Sequence, residues 1–416
     1  MIEIKVDIDK LPDIFQLIDF LKSKEISMMQ ATNGWAEYTF NGFKPLHAGN
    51  YLFNSDRVYI NDVPDNQFIV NRLSSKRYCL KPNLSKHRFL FRGQNTHYDH
   101  ILSSFSRGDA DDHLISNLRF EDFRCLLRSH PLFMMFERGI HLEPIKKPVF
   151  LEMNYYGLAQ HYGFNTGLLD FTSDIWTAAF FACTKYKGND TYEPITDVMK
   201  YPYGVIYVHN IIPSASFFAL GFRSIGLQIY PRSGAQKGFF YEEGSTKLPV
   251  EQLVTPFFFR HNALNSQKIF ELQDGGKRLF PKDDIQPFAQ EILKSNEITG
   301  LAFMENLYTN QDDFDANLKR LSNHHISVNW HKRLMFTEDM LQSYYKDIKN
   351  GLWEHFCNQI SFVDEKEEAL KESLLSLPKN PYYRQFFDDG EFQKLRCIEL
   401  HERQRAISNS KRKRDT

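Results

Sequence analysis

The chain has 416 residues, of which 42% are hydrophobic and 25% charged, a usage that excludes wholesale disorder and allows a large core in more than one domain. Its net charge of −1 excludes a global basic field that would draw it onto nucleic acid or an anionic membrane. Five scattered cysteines with no C-x-x-C pair, no signal-peptide start and no apolar run of about 18 residues predict a soluble, cytoplasmic protein with reduced thiols, no metal site and no membrane partner.

Residues 1–84 read as an α+β extension. Ile2–Val6 alternates like a strand, Pro12–Lys24 carries Ile14, Leu17, Ile18 and Leu21 at helical spacing, and Trp35–Phe40 and Arg57–Ile60 suggest further short strands. Residues 85–290 mix strands and helices closely, with turn signals between them, and predict a central mixed-sheet domain. From 291 to 416 the pattern is mostly helical and ends on the basic tail Lys411-Arg-Lys-Arg414, a solvated terminus by its position. The expected class is therefore α+β. The 37 Phe predict aromatic-rich cores.

Three segments carry chemistry. In Phe89-Leu-Phe-Arg-Gly-Gln94 the pleat sends Phe89 and Phe91 to one face and Leu90 and Arg92 to the other. Arg92 suits either a two-pronged grip on a phosphate or carboxylate, or a structural ion pair; Gly93 lets a ligand or another backbone come close, and Gln94 follows. The second segment runs from Gly157 to Ser173. A helix ends at Gly163 with Gln160 and His161 in its last turn, and the apolar strand Gly167–Phe171 holds Asp170, which is costly there unless paired. Thr172 and Ser173 come next, with Ser173 read as the N-cap of a helix Ile175–Tyr186 whose first turn offers amides to an anion. An ordinary strand-to-helix turn is the other reading. The third segment, Ile229–Tyr241, sets Arg232 and Gln236 on a glycine-containing turn between two short strands. The pairs Asp111-Asp112 and Asp283-Asp284 read as solvated loop charges.

Together these segments resemble the FRG-domain family over roughly residues 85–290. Phe91-Arg92-Gly93 is the naming motif; Gln160-His-Tyr-Gly163 with Thr166 and Leu168-Leu-Asp-Phe-Thr172 is similar to the central signature. Arg232, then Gln236-Lys-Gly-Phe239, and Leu279-Phe-Pro281 resemble the later ones. Gly167 stands where the family usually has a basic residue.

A second resemblance is to ADP-ribosyltransferases of the Arg-Ser-Glu type, through Arg92-Gly93, Thr172-Ser173 with Ala178–Ala182, and Gln236-Lys-Gly238. It implies NAD as co-substrate, Arg92 on the pyrophosphate side, and a catalytic set of Arg92, Asp170 and Gln236. Cofactor contacts would come from Gly93, Gln94, Gln160, His161, Thr172, Ser173 and Arg232. Gly238 occupies the position of the glutamate that polarises the ribose, so the carboxylate would have to be Asp170, Glu242 or Glu243.

The implied function is an NAD-using ADP-ribosyltransferase-like or NAD-cleaving effector, serving as a toxin or in antiviral defence and acting on a protein or nucleic-acid acceptor. The alternative is a non-catalytic nucleotide- or nucleic-acid-binding module, to which Lys86, His87 and Arg88 interleaved with Phe89 and Phe91 would contribute.

Overall fold

The computed structural model describes residues 7–25 and 63–376, apart from 65–66, 73–76, 85–88, 131–132, 134–135, 137–138, 143–144, 212–220, 245–248, 311–312, 348–349, 352 and 363–364, and also residue 379. The strands expected at Ile2–Val6, Trp35–Phe40 and Arg57–Ile60, the basic group Lys86–Arg88 and the tail Lys411–Arg414 lie outside the described residues. Helices and several sheets occur together, so the class is α+β. Two compact units interleave along the chain: residues 1–72, 80–103 and 167–283 form the first, and 73–79, 104–166 and 284–416 the second. The stretch 85–290 supplies segments to both.

The first unit is built on a six-stranded sheet. Its strands are β1 (Phe89–Gln94), β2 (Leu168–Thr172), β5 (Tyr203–Asn210), β6 (Phe222–Ser224), β7 (Gly238–Glu242) and β8 (Thr255–Arg260), in the order β6-β7-β2-β1-β5-β8. Every neighbouring pair in this sheet is antiparallel, and parallel pairing occurs elsewhere, between Arg77–Pro82 and Ile145–Leu151. A separate hairpin, β3 (Thr184–Gly188) with β4 (Thr191–Pro194), turns through Gly188, Asn189 and Asp190, all at positive φ.

One face of the sheet is covered by α1 (Ile14–Lys24), α2 (Ile175–Cys183) and α3 (Ala263–Leu272), whose buried side chains meet Phe91, Ile206, Val208 and Phe259. Helix α1 starts on a reciprocal cap: Asp13 accepts from the amides of Phe15 and Gln16, and Gln16 accepts from the amide of Asp13. Leu90, Leu169, Phe171, Val205, Tyr207, Phe239 and Tyr241 pack on the opposite face with Ile101, Val250 and Val254 from the connecting segments. Alternation along each strand thus sends apolar groups to both sides, as expected of a sheet covered on both faces.

Helix α2 lies against β1 at Gly93. A Cβ there would stand 1.8 Å from the carbonyl oxygen of Ala178, so only glycine permits the approach. The helix differs from its expected form at both ends. Asp174, not Ser173, is the N-cap, accepting from the Thr177 amide at 2.9 Å and from its hydroxyl at 2.7 Å. The chain leaves the helix after Cys183 because Thr184 turns its hydroxyl back onto the Phe180 carbonyl and enters β3.

In the second unit the helix Ala110–Arg128 buries Leu114 and Leu118 against Ala302, Phe303, Leu307 and Leu321. Asp111 and Asp112 begin this helix and are not loop charges: Asp111 pairs with Arg320 at 2.6 Å and His324 at 2.9 Å. Deeper in the same helix, Asp122 is buried and accepts from the hydroxyl of Thr299 at 2.5 Å and from its amide. The helix Tyr155–His161 ends as expected at Gly163, whose φ is +87°. Among the described residues no helix is long and apolar enough to cross a membrane.

Candidate functional site

Register decides which candidate residues meet. Phe91 of β1 pairs with Thr172 of β2, which puts both side chains on the α2 face. Asp170, two residues before Thr172, shares that face, whereas Arg92, next to Phe91, is on the other. The Arg92 guanidinium reaches the chain of β2 all the same, its Nη1 donating to the backbone carbonyl of Asp170 at 3.0 Å. The sheet plane thus stands between this cation and the Asp170 carboxylate.

Arg232, Gln236 and Asp170 gather on the α2 side, where Arg232 is held by ion pairs and Gln236 by hydrogen bonds. Arg232 sits in a single helical turn, Arg232–Ala235, with its side chain 1% exposed. Its Nη2 lies 2.8 Å from the Asp190 carboxylate at the β3–β4 tip, and its Nε is 3.8 Å from that of Asp283. The ring of Phe280 lies 5.9 Å from the guanidinium carbon and stacks on Tyr192. Burial, with the charges of Tyr186, Asp190 and Asp170, pushes the Tyr192 phenol well above its usual range, against a smaller opposite pull from Arg232. Gln236 donates to the carbonyl of Leu279 at 3.0 Å, and its own carbonyl accepts from the Thr172 hydroxyl at 2.7 Å. These residues fasten three chain segments together. Asp283, expected as a solvated loop charge, is a buried partner in that fastening because Arg232 needs a counter-charge.

At the start of α2 one of the first-turn amides, that of Thr177, is already taken by the Asp174 carboxylate. Ser173 is 2% exposed and its amide donates to the Lys237 carbonyl. Gln160 and His161 belong to the second unit, where Gln160 accepts from the Thr166 hydroxyl. Glu243, one of the alternative carboxylates, accepts from the Ser103 amide at 3.1 Å.

On the opposite face a different group surrounds Arg92. Tyr207 of β5 is its cross-strand partner, and Gln94 is two residues along the same strand. The Tyr207 hydroxyl contacts His97 Nδ1 at 2.9 Å. Burial pushes this phenol up to about 12, moderated by a hydrogen bond with the Tyr98 backbone and by the Arg92 cation, while Glu251 pushes the other way. Glu251 is itself held by the Ile101 amide at 2.5 Å. His97 meets Phe258 edge-on, Phe258 meets Tyr203, and Tyr98 is 54% exposed.

His97, Tyr207 and Glu251 escape a motif search because they are distant in sequence and meet only through the β1–β5 register and the loop after Gly93. A histidine four residues past an Arg-Gly was the only available signal. Among the described residues no group of three or more His, Cys, Asp or Glu is arranged to hold a metal ion.

An antiparallel sheet with a glycine-seated helix on one face and an arginine-centred polar cluster on the other places this chain in the α+β class. Residues 87–191, about a quarter of the chain, match the family model of the FRG domain, so the chain carries an FRG domain. No curated protein and no solved structure shows significant similarity to it.

Proposed function

We propose that the FRG domain binds a nucleotide through Arg92 and that the nucleotide is NAD, used in an ADP-ribosyltransferase-like or NAD-cleaving reaction. The observation that carries this reading is the Arg92 guanidinium itself. It is half-buried at a strand end, oriented by the Asp170 carbonyl, and flanked by the hydroxyl of Tyr207 and the ring of His97. A guanidinium is a planar fork of N–H donors that suits a diphosphate, and partial burial strengthens each contact. Tyr98, Phe258 and Tyr203 supply aromatic surface suited to a base. The likeness to Arg-Ser-Glu enzymes brings in NAD, and a protein or nucleic-acid acceptor would complete the transfer.

Incubating the protein with NAD and following free nicotinamide tests the reaction. Release that falls to background in Arg92→Ala is expected; no release, or release indifferent to that substitution, overturns it.

A second reading, nucleotide binding without turnover, is favoured by one specific observation. Gly238 stands at the position of the expected glutamate, and the Gln236 amide is engaged with Leu279. Nucleotide binding that depends on Arg92, without nicotinamide release, would select it.

A further inference from the structure

A nucleotide anchored by its phosphates still presents a sugar, and none of the residues singled out from the motifs offers it a carboxylate on the Arg92 face. Asp170 is on the other side of the sheet, and Glu243 is drawn to Ser103. Glu251 is in a different position. One of its oxygens is pinned by the Ile101 amide at 2.5 Å, which fixes the carboxylate, and no donor among the described residues reaches the other. It is half-buried and close enough to the Tyr207 hydroxyl for its charge to act there together with that of Arg92.

Two more unfilled polar atoms belong to the same group. His97 uses Nδ1 on Tyr207, and its Nε2 has no partner among the described residues. The Oε1 of Gln94 is buried and accepts no hydrogen bond from them. Strand alternation puts Gln94 on the face of Arg92, opposite Val205. The face thus combines a cation that suits phosphate with a fixed carboxylate whose second oxygen suits hydroxyl donors.

We propose that Glu251 accepts the hydroxyls of the ribose attached to the phosphate held by Arg92, so that the site selects ribonucleotides with a free 2′,3′-diol over their deoxy counterparts. This rests on the reading of Arg92 as the phosphate anchor and adds the sugar specificity. An ionised carboxylate only accepts hydrogen bonds, and a ribose diol supplies two donors side by side. Binding a deoxy sugar would remove the carboxylate's water without returning a full set of partners. Hydrogen bonds to charged groups differ from water contacts by enough to give discrimination on the order of 10- to 100-fold.

The experiment is calorimetric titration of the full chain with ADP, 2′-deoxy-ADP and 3′-deoxy-ADP. The wild type, Arg92→Ala and Glu251→Gln are compared. Glutamine retains an acceptor for the Ile101 amide, and a melting curve checks that each variant is folded. In the wild type ADP should bind 10- to 100-fold more tightly than at least one deoxy analogue, on the scale given for charged acceptors. Glu251→Gln should narrow that ratio, and Arg92→Ala should weaken all three ligands alike. Equal wild-type affinities for ADP and both deoxy analogues, with the Arg92→Ala loss intact, overturn the sugar assignment alone. Absence of ADP binding, or binding untouched by Arg92→Ala, overturns the phosphate anchor and the sugar assignment with it. The comparison within the wild type decides the matter even if Glu251→Gln does not fold.

Discussion

Arg92 and Arg232 both come from family motifs, and the fold treats them in opposite ways. Arg232 is buried and neutralised by Asp190 and Asp283 from two other chain segments. Arg92 is half-buried, oriented by a backbone carbonyl, and set beside its cross-strand partner Tyr207. The first arrangement joins the molecule together; the second suits a site that receives something. A charged residue in a motif therefore has no role by itself until its counter-charges are located.

The comparison would break if the two arginines responded alike to removal. Arg232→Ala should be the most damaging change, since it leaves carboxylates buried without a cation, at a cost of roughly 3–5 kcal/mol. Urea unfolding would register this as a fall in midpoint. Gly93→Ala should come next at about 3 kcal/mol, because the added methyl meets the Ala178 carbonyl and α2 must move. Gln236→Leu should cost about 1–2 kcal/mol through the orphaned Leu279 carbonyl, measured in the same way. Arg92→Ala should change stability least, by less than about 1 kcal/mol, while nucleotide binding disappears. If Arg92→Ala unfolded the protein as readily as Arg232→Ala, the distinction between them would be lost.

Acid should separate the two units. Burial lowers His209 and His261 to about 4, against smaller upward pulls from the carbonyls of Leu253 and Asn95. The unfolded chain takes protons at these positions near pH 6.5, so the first unit should lose stability as pH falls from there towards 4. Burial instead raises Asp122 to about 7, with Thr299 opposing. Its folded form holds a proton that the unfolded chain releases above about 4, so this contribution to the second unit strengthens as pH drops below 7 and is lost as pH rises through it. Hydrogen exchange at pH 5 and pH 8, followed on peptides from each unit, should show opposite trends. Asp122→Asn should flatten the second.

Local signals survive the passage from sequence to structure best. The apolar spacing of Ile14, Leu17, Ile18 and Leu21 gives α1, Gly163 gives a helix end, and the Gly93 close approach is to the backbone of α2. The capping of α2 was misplaced by one residue, because Ser173 and Asp174 are both suitable caps and only geometry chooses between them. The face that Asp170 occupies depends on the register Phe91–Thr172, which involves strands separated by most of the FRG segment. Asp190 and Glu251 were beyond reach for the same reason. Two acidic residues look alike in sequence until long-range pairing brings one to Arg232 and the other to the Ile101 amide.

The strand order has a practical consequence for anyone trimming the molecule. Residues 87–191 contain β1, β2 and α2. The strands flanking β1 and β2 on their outer sides, β5 and β7, come later in the chain. A fragment cut to the matched stretch would expose two unsatisfied strand edges and the apolar surface beneath them, an invitation to aggregate. Expression that follows the sequence match should yield inclusion bodies, whereas cuts chosen to retain residues up to Asp283 keep the sheet whole.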